Sequence, residues 1–512
     1  MIRKLLLICL SMILLAGTVP MTILASQAGS MPEIQGEGNA SGYMGQDEID
    51  QETLERIHEY VARQFEVNDV VGGSYAIVHA GEVIDARGIG VVDLKSRKPV
   101  TPETVYAVAS VTKSLTAAAV LKMYEQGMIE LDAPVQTYIP WFTYRDPERS
   151  ARVTIRHLLT HAAGIHRFEA DGSVFQDERE NRHSLERTVR ALSTVSMTDE
   201  PGTKGAYCNS CYNVLGLMIE EVARTDYEQY MKDVLFGPLH MDSTSFDPKA
   251  AEDAATEYNW VFGWKRRSES NLEVFGEGQN PEGGIYSNVI DLSKYLAAML
   301  GTGEYPLLRQ DTLEISLKGE IEADEGFRYA ISGFEDGMLG DTRVLYKAGD
   351  GIGSGAVIVL LPEQKLGISL LIGESIPELG PPLAFAIAKM LLGENPEDIE
   401  VGVTFWRLVG WISLGCAAIG LLLLAGLLRS IMPLKRAKRR IRRGLIVSRA
   451  VVCLIISLPI AYLLVAVRPT QIGFYGYPYD LAIGMIAMMA STALWAVYSV
   501  IQLSTSKVRG KG

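Results

Sequence analysis

The C-terminal hundred residues contain three long apolar runs, which constrain the fold more than any other feature of the chain. The runs cover residues 408–428, 445–467 and 481–503, and polar residues separate them. Each run is long enough to cross a hydrocarbon core roughly 30 Å thick. Buried core helices are the alternative, but three consecutive runs of this length favour membrane spans. We therefore predict a three-span transmembrane region at 408–503, preceded by a linker at 396–407.

Positive charge beside these runs predicts their orientation. The connection after the third predicted span carries Lys507, Arg509 and Lys511, whereas residues 468–480 carry little positive charge. A dense basic block lies between the first two runs: Arg429, Lys435, Arg436, Lys438, Arg439, Arg440, Arg442 and Arg443. Because Lys and Arg flank spans on the cytoplasmic side, we expect this block and the tail at 504–512 in the cytoplasm. The region before Leu408 is then outside a plasma membrane, and a nucleic-acid-binding role for the block is disfavoured.

The N-terminus predicts export. A basic start is followed by an apolar stretch at 5–17 and a small-residue cleavage site at Ser26-Gln27-Ala28, as in a signal peptide covering 1–28. An uncleaved signal anchor stays open as an alternative. Residues 29–46 are polar and rich in Gly, Ser and Gln, which predicts a flexible tether.

A globular catalytic domain is expected at 47–395, where the length allows a substantial core. The chain has a formal net charge of −13. Because the globular region also lacks a basic stripe with interleaved aromatic residues, we expect no nucleic-acid partner. The expected partners are the lipid bilayer and a substrate in the cell envelope.

Within this domain, Ser110-Val111-Thr112-Lys113 opens a predicted helix. A lysine three residues after a serine lies one turn away on the same face, so its amine can reach the serine hydroxyl. The helix N-terminus also favours an oxyanion. The spacing alone is unspecific, since Ser504-Thr505-Ser506-Lys507 repeats it in the predicted tail.

Two later motifs give the serine its context. Tyr207-Cys208-Asn209 supplies a phenol that can share the serine's proton and an amide that can hold the lysine or a substrate carbonyl. Lys347-Ala348-Gly349 ends a strand-like run and supplies a second amine. The ordered set Ser110, Lys113, Tyr207, Asn209 and Lys347 is typical of serine acyl-transfer enzymes of the S-x-x-K type.

These motifs resemble those of the serine β-lactamase and penicillin-binding protein superfamily, in particular its class C β-lactamase branch. That branch also contains D-alanyl-D-alanine carboxypeptidases, D-aminopeptidases and esterases. Secondary matches occur in three segments, 157–165, 283–287 and 361–367. The resemblance covers roughly 47–394. It implies an oxyanion hole made by the backbone N–H groups of Ser110 and Asp350, beside Gly349, and it implies neither a metal nor an organic cofactor.

The pattern of apolar residues predicts an α+β fold. We expect a helix at 51–68 with Asp50 as N-cap, a largely helical region at about 130–300, and a final helix at 381–392. Strands are predicted on both sides of the helical region, at 73–80, 82–91, 326–334, 342–348, 355–361 and 366–371. This order indicates an antiparallel sheet flanked by helices with an inserted all-α region, and the resemblance implies the same fold with Ser110 at the floor of the cleft between them.

Two departures from the family pattern restrict the substrate. Ala348 stands where many relatives have a threonine, which removes a hydroxyl that would bind a substrate carboxylate. Asp350 follows the motif and would add negative charge if it faced the cleft; the alternative is that it points to solvent. We therefore expect a hydrolase acting on a D-amino acid peptide, amide or ester of peptidoglycan or a teichoic-acid-like polymer. A penicillin-binding sensor or scaffold without turnover, or a class C-like β-lactamase, remains the alternative.

Two pairs of residues, one of cysteines and one of histidines, are expected to have structural roles only. Cys208 and Cys211 are expected to be free thiols that fill small spaces, because a thioredoxin-like site would need a βαβ context; a local disulfide is the minor alternative. His157 and His161 have the i, i+4 spacing of a metal site on a helix, but Leu158 stands where such a motif needs glutamate. We expect both histidines to hydrogen-bond within the fold behind the site.

Overall fold

The computed structural model describes residues 49–165, 184–247, 254–268, 276–323, 326–399, 401, 403–431, 486–495 and 497–499. The predicted signal peptide, the tether, the second span and the cytoplasmic tail lie outside these residues. The third predicted span is described only in its central part.

An eight-stranded antiparallel sheet forms the centre of the domain, with the strand order β2-β1-β12-β11-β10-β9-β8-β7. Two short pairs, β3–β6 and β4–β5, lie apart from it. The strand bounds are β1 Gly72–His79, β2 Glu82–Gly90, β3 Tyr106–Ala107, β4 Tyr258–Val261, β5 Trp264–Arg267, β6 Tyr286–Ser287, β7 Gly319–Glu322, β8 Arg328–Ala330, β9 Glu335–Leu339, β10 Thr342–Asp350, β11 Gly355–Leu361 and β12 Leu366–Ile372.

Both faces of the central strands are apolar because both are covered. Successive side chains of a strand point to opposite faces. In β11, Val357 and Val359 therefore belong to one hydrophobic cluster, while Ile358 and Leu360 belong to the other.

Helices cover the sheet on both sides. On one face lie α1 (Gln51–Val67) and the helix Gly380–Leu391, and Asp50 caps α1 by accepting a hydrogen bond from Thr53 N at 2.8 Å, as predicted. In chain order, the helices after α1 are α2 Thr112–Glu125, α3 Pro147–Ser150, α4 Ile155–Leu159, α5 Ser184–Ala191, α6 Asn209–Ala223, α7 Tyr227–Met231, α8 Asn280–Gly283, α9 Val289–Met299, α10 Gln310–Ser316, α11 Gly380–Leu391 (the helix already described) and α12 Val403–Ile431.

Helix α2 runs through the middle of the larger cluster. Its residues from Thr112 to Leu121 are all buried, which is expected of a helix surrounded by other elements. A single 3-10 turn, Ala109–Val111, precedes it. Ser110 therefore lies in this turn, immediately before the α-helix. The sequence had predicted that Ser110 opens the helix itself.

The predicted fold class is confirmed as a mixed fold with a large antiparallel sheet and helices, and some boundaries need correction. The strand predicted at 326–334 is only three residues long, β8. The chain turns at Gly333, where φ is 77°, and a further strand, β9, begins two residues later. This strand was missed because its sequence, EDGML, begins with two acidic residues and a glycine and shows no alternation of apolar and polar residues.

In the described part of the chain, one helix is long and apolar enough to cross a membrane. It is α12, whose stretch Gly410–Leu427 has a mean hydropathy of 2.0. A shorter apolar helix covers the described part of 486–499. The other two predicted spans are thus untested, and the three-span arrangement stays a prediction.

Candidate active site

The 3-10 turn presents the Ser110 side chain at the surface of a buried helix. Ser110 is partly exposed, whereas Ala109 and Val111 on either side are buried. Ala109 has φ of 44°, a left-handed conformation that is unfavourable for alanine. Such local strain is often found at functional sites. The hydroxyl of Ser110 is consequently held at a fixed point beside the cleft.

Lys113 and Tyr207 both reach this hydroxyl. The Lys113 amine donates to Ser110 Oγ at 3.0 Å, and the Tyr207 hydroxyl donates to the same oxygen at 2.8 Å. Lys113 is fully buried, and its Nζ lies 5.2 Å from the centre of the Tyr207 ring. The structure thus brings together three residues that are separated by up to 97 positions in the sequence. A serine with two proton-bearing neighbours at hydrogen-bond distance can be activated as a nucleophile.

Tyr207 is held between a lysine and a histidine. Lys347 Nζ lies 4.8 Å from the centre of the tyrosine ring, and the His161 ring stacks on it at 4.6 Å. His161 also accepts a hydrogen bond at Nδ1 from the backbone N–H of Cys208 at 3.0 Å. The sequence predicted a hydrogen-bonding role for His161, but not its contact with Tyr207.

The placement of His161 also corrects the predicted helix. Helix α4 ends at Leu159, and His161 lies beyond it with φ of 55°. His157 caps the start of α4, where its Nδ1 accepts a hydrogen bond from Thr154 N at 3.2 Å. The two histidines therefore do not share a helix face. No group of three or more metal-binding side chains occurs among the residues that the structure describes.

Asn209 is buried at the start of α6, but it does not hold the lysine. Among the described residues, its Oδ1 has no hydrogen-bond partner. The partners of Lys113 are instead Ser110 and Glu282. The other role that the sequence suggested for Asn209, binding of a substrate carbonyl by its amide, stays a prediction.

The expectation of free thiols at Cys208 and Cys211 is wrong: the two cysteines form a disulfide. Cys208 is the N-cap of α6, and its sulfur accepts a hydrogen bond from the Cys211 backbone N–H at 3.0 Å. The N-cap and the third residue of a helix lie on the same side of its first turn, which leaves their Cα atoms 5.4 Å apart. That separation suits a disulfide.

Lys347 has a carboxylate partner that the sequence did not indicate. It is 1% exposed, and its Nζ lies 3.2 Å from Glu335 Oε1. Glu335 begins β9 and is the register partner of Tyr346, whose hydroxyl donates to the other carboxylate oxygen at 3.0 Å. The partnership could not be foreseen because β9 itself was not predicted.

Gly349 allows the end of β10 to approach the serine turn. A Cβ atom at this position would lie 2.2 Å from Val108 O and 2.9 Å from Ser110 N. Only glycine fits here without displacement of the backbone. Asp350, the next residue, is exposed, and its carboxylate accepts a hydrogen bond from Ser375 Oγ at 2.6 Å.

Glu257 is a buried acid close to the strand that leads into the serine turn. Burial raises the pKa of its carboxyl to about 7, and a hydrogen bond from the Ala107 backbone opposes that rise. Burial likewise raises the pKa of Tyr212 well above its usual value. Tyr212 donates to Leu159 O at 3.0 Å, which indicates a structural role for this side chain.

A comparison with known proteins agrees with this geometry. The family model described as Beta-lactamase matches residues 57–389, about two thirds of the chain. The chain belongs to the beta-lactamase family. The match lies within the domain predicted at 47–395, and it includes the candidate site residues Ser110, Lys113, Tyr207, Asn209 and Lys347.

Individual relatives are distant. Protein flp from Staphylococcus aureus (strain N315) is 25% identical over 339 residues, and the match covers 64% of this chain and 65% of that protein. Thus the chain spans just under two thirds of the length of this curated relative. The octameric penicillin-binding protein homologue from Pyrococcus abyssi is 27% identical with a TM-score of 0.59, covering 70% of this chain and 81% of that chain.

The beta-lactamase fold is shared with a D-alanine carboxypeptidase, AmpC from Burkholderia cenocepacia. That structure has a TM-score of 0.55 at 21% identity, covering 67% of this chain and 99% of that chain. At this identity the likeness concerns the fold alone. The family and its structural neighbours are serine hydrolases, so the predicted enzyme class is confirmed at the level of the family.

Proposed function

We propose that this protein is a membrane-anchored, extracytoplasmic serine hydrolase that forms an acyl-enzyme on Ser110. The observation that carries the proposal is the convergence of Lys113 Nζ at 3.0 Å and the Tyr207 hydroxyl at 2.8 Å on Ser110 Oγ. The substrate that we propose is a D-amino acid peptide, amide or ester of the cell envelope.

Acylation would begin with attack of Ser110 Oγ on the substrate carbonyl carbon. The serine proton passes to the Lys113–Tyr207 pair as the new C–O bond forms. The backbone N–H groups of Ser110 and Asp350 would stabilise the oxyanion, by analogy with the family. Each such donor contributes roughly 3 kcal/mol when it is preorganised. Gly349 supports this role because it lets the two segments approach.

Breakdown of the tetrahedral intermediate expels the leaving group, which takes its proton from Tyr207. Water then attacks the acyl carbonyl carbon and gives a proton to the Lys113–Tyr207 pair. The second tetrahedral intermediate collapses as the bond between the acyl carbon and Ser110 Oγ breaks, and Tyr207 returns the proton to Oγ, which restores Ser110. The contacts of Tyr207 with His161 and Lys347 support this role because they fix the ring during both proton transfers. No step requires a bound metal or organic cofactor.

The charges around Lys347 favour a substrate without a free carboxylate at that position. Glu335 lies 3.2 Å from Lys347 Nζ and compensates its positive charge. Ala348 supplies no hydroxyl, and Asp350 adds a negative charge at the exposed end of β10. This supports an ester, an amide or an internal peptide bond over a C-terminal D-alanyl-D-alanine.

The membrane part of the proposal comprises spans at 408–428, 445–467 and 481–503. Its support is the apolar stretch Gly410–Leu427 of α12 and the strong exposure of Leu421 and Leu422, at 65% and 70%. Exposed leucines of this kind suit contact with lipid. The described part of the third run packs against α12, since Trp495 Nε1 donates to Leu423 O at 2.5 Å.

The start of α12 also contacts the catalytic domain close to the site. The Arg407 guanidinium lies 5.0 Å from the Trp260 ring, on strand β4. Tyr258, the first residue of β4, donates its backbone N–H to Gly353 O, in the loop that follows Asp350. Because the start of α12 contacts the catalytic domain near this loop, the site would lie close to the membrane. Such a position suits a substrate that is attached to the cell envelope.

A turnover assay on the full-length protein in detergent tests the proposal. The substrates are a D-alanyl ester, a D-amino acid amide, a peptide ending in D-alanyl-D-alanine, and a fluorescent penicillin. We expect hydrolysis of the ester or amide by the wild type and none by Ser110→Ala, while Ser504→Ala behaves as the wild type. Labelling by penicillin without release of any product would favour the sensor. Rapid penicillin hydrolysis would favour a β-lactamase, and labelling of Ser110→Ala at another serine would contradict the assignment.

A further inference from the structure

A buried glutamate next to Lys113 has no assigned role in the chemistry described above. Glu282 belongs to the short helix α8 and is 7% exposed. Its backbone carbonyl accepts a hydrogen bond from Lys113 Nζ at 2.7 Å, and its carboxylate Oε2 lies 3.7 Å from the same nitrogen. One residue therefore contacts the catalytic amine twice, once through a neutral oxygen and once through a charged one.

The position of Glu282 is fixed from two sides. Asn213 of α6 donates to the other carboxylate oxygen, Oε1, at 3.4 Å. The preceding residue, Pro281, accepts a hydrogen bond at its carbonyl from Thr116 Oγ1 at 2.7 Å. Helix α8 is thus joined to the helix that carries Lys113, and turning the carboxylate away would break its hydrogen bond with Asn213.

Among the described groups around the Lys113 amine, Glu282 is the one that carries a negative charge. Tyr207 and Tyr212 present their rings at 5.2 and 5.8 Å. Beyond the Tyr207 ring lie His161 and Lys347, and Lys347 is paired with Glu335. Lys113 has no exposed surface, so a positive charge on it is screened little by water. A buried charge is stable only when it is paired.

We infer that Glu282 is a positioning residue that holds Lys113 beside Ser110 and stabilises its protonated form. The inference rests on the proposed acylation of Ser110 and goes beyond it, because it identifies what controls the proton acceptor. A carboxylate near a proton-accepting centre makes loss of the proton harder. We therefore expect the pH dependence of Ser110 acylation to change when the charge of Glu282 is removed.

The test measures the rate of labelling by a fluorescent fluorophosphonate between pH 5 and 10, with the full-length protein. In Glu282→Gln we expect the midpoint of the rising limb to move to lower pH by about 1 pH unit or more. Glu282→Asp keeps the charge and should leave the midpoint close to that of the wild type. Glu228→Gln is the matched control: Glu228 binds Asn280 of the same short helix at 2.7 Å, but it does not contact Lys113. Its midpoint should be unchanged.

The outcomes separate the two proposals. Absence of labelling in the wild type would contradict the proposed acyl-enzyme. Normal wild-type labelling with equal midpoints in Glu282→Gln and the control would overturn the role of Glu282. If Glu282→Gln folds but is too unstable to be labelled across this pH range, melting temperatures decide: the loss in Lys113→Met/Glu282→Gln should be several degrees smaller than the sum of the two single losses. An additive loss would overturn the inference.

Discussion

At the scale of single residues, the site depends on one close approach between two backbones. Gly349 lies where a methyl group would overlap Val108 O at 2.2 Å, so β10 and the serine turn can touch only because this side chain is absent. We propose that the two backbone donors of the oxyanion hole, Ser110 and Asp350, come from these segments. Their separation must be kept within a few tenths of an ångström for both to reach one oxygen.

Gly349→Ala should therefore lower acylation much more than stability. We expect at least a tenfold loss in the fluorophosphonate labelling rate, about 1.4 kcal/mol or more, because the strand must shift away from Ser110. Gly355→Ala is the control: it lies opposite Asp350 on β11, and its new Cβ would be 3.3 Å from Glu374 O, its nearest contact. Equal rates in Gly349→Ala and wild type would show that the approach is not needed.

Glu257 should make the stability of the folded protein depend on pH. Its carboxyl has an ordinary pKa of 4.5 and, because of burial, a pKa of about 7 in the folded protein. Between these pH values the unfolded chain has lost the proton and the folded protein has kept it. The contribution of Glu257 to stability is thus fully present below pH 4.5 and is lost as pH rises to about 7.

Glu257→Gln should remove this part of the pH dependence. We expect the free energy of unfolding of the wild type to fall between pH 4.5 and 7 more than that of the variant, by up to roughly 3 kcal/mol. Urea unfolding of both proteins at pH 4.5, 6 and 8 measures the difference. Parallel curves would mean that Glu257 titrates at the same pH in both states.

At the scale of secondary-structure elements, the start of α6 joins Tyr207, which we propose transfers protons in the reaction, to the disulfide. Cys208 separates Tyr207 from Asn209, caps the helix, and is bonded to Cys211. The closed loop is short, so the entropic stabilisation is roughly 2 kcal/mol. Because the oxidised cap is next to Tyr207, its loss should affect both stability and the site.

The double variant Cys208→Ser/Cys211→Ser tests this element. We expect its free energy of unfolding to fall by roughly 2 kcal/mol and its labelling rate to fall by a few-fold, since serine can still cap the helix. Mass spectrometry of non-reduced peptides from the wild type should show the cross-linked pair. Two free thiols in the folded wild type would contradict the structure.

The comparison of sequence and structure also belongs at this scale. Motif spacing predicted Ser110, Lys113, Tyr207 and Lys347, which the structure brings together, because each belongs to a short motif that can be read directly from the sequence. Runs of apolar residues predicted the long buried strands, because those strands are covered on both faces. Both patterns missed Glu282 and Glu335, since a glutamate in a short helix or a polar strand looks like any exposed acid until the chain has folded. The disulfide was missed because it depends on where α6 begins.

At the scale of the whole molecule, the catalytic domain and the apolar helices form a connected arrangement. Trp411 of α12 lies against Gly263, where a Cβ atom would be 2.7 Å from its Nε1, and Arg407 forms an ion pair with Asp69. These contacts join the start of the predicted first span to the turn between β4 and β5 and to the segment between α1 and β1. If α12 crosses a membrane, the domain is held close to its surface and not suspended on a free linker.

The orientation of that membrane region is the prediction with the widest consequences. Since the basic block at 429–443 and the basic tail should remain in the cytoplasm, the catalytic domain and the connection at 468–480 should be outside. Alkaline phosphatase, which is active only outside the cytoplasm, should therefore work when fused after Asn395 or near Gly473. It should be inactive when fused near Lys438 or after Lys511, where a cytoplasmic reporter such as β-galactosidase should be active instead. Phosphatase activity at Lys438 would place the basic block outside and overturn the three-span arrangement, while activity at Asn395 alone, with none near Gly473, would reduce it to a single span formed by α12.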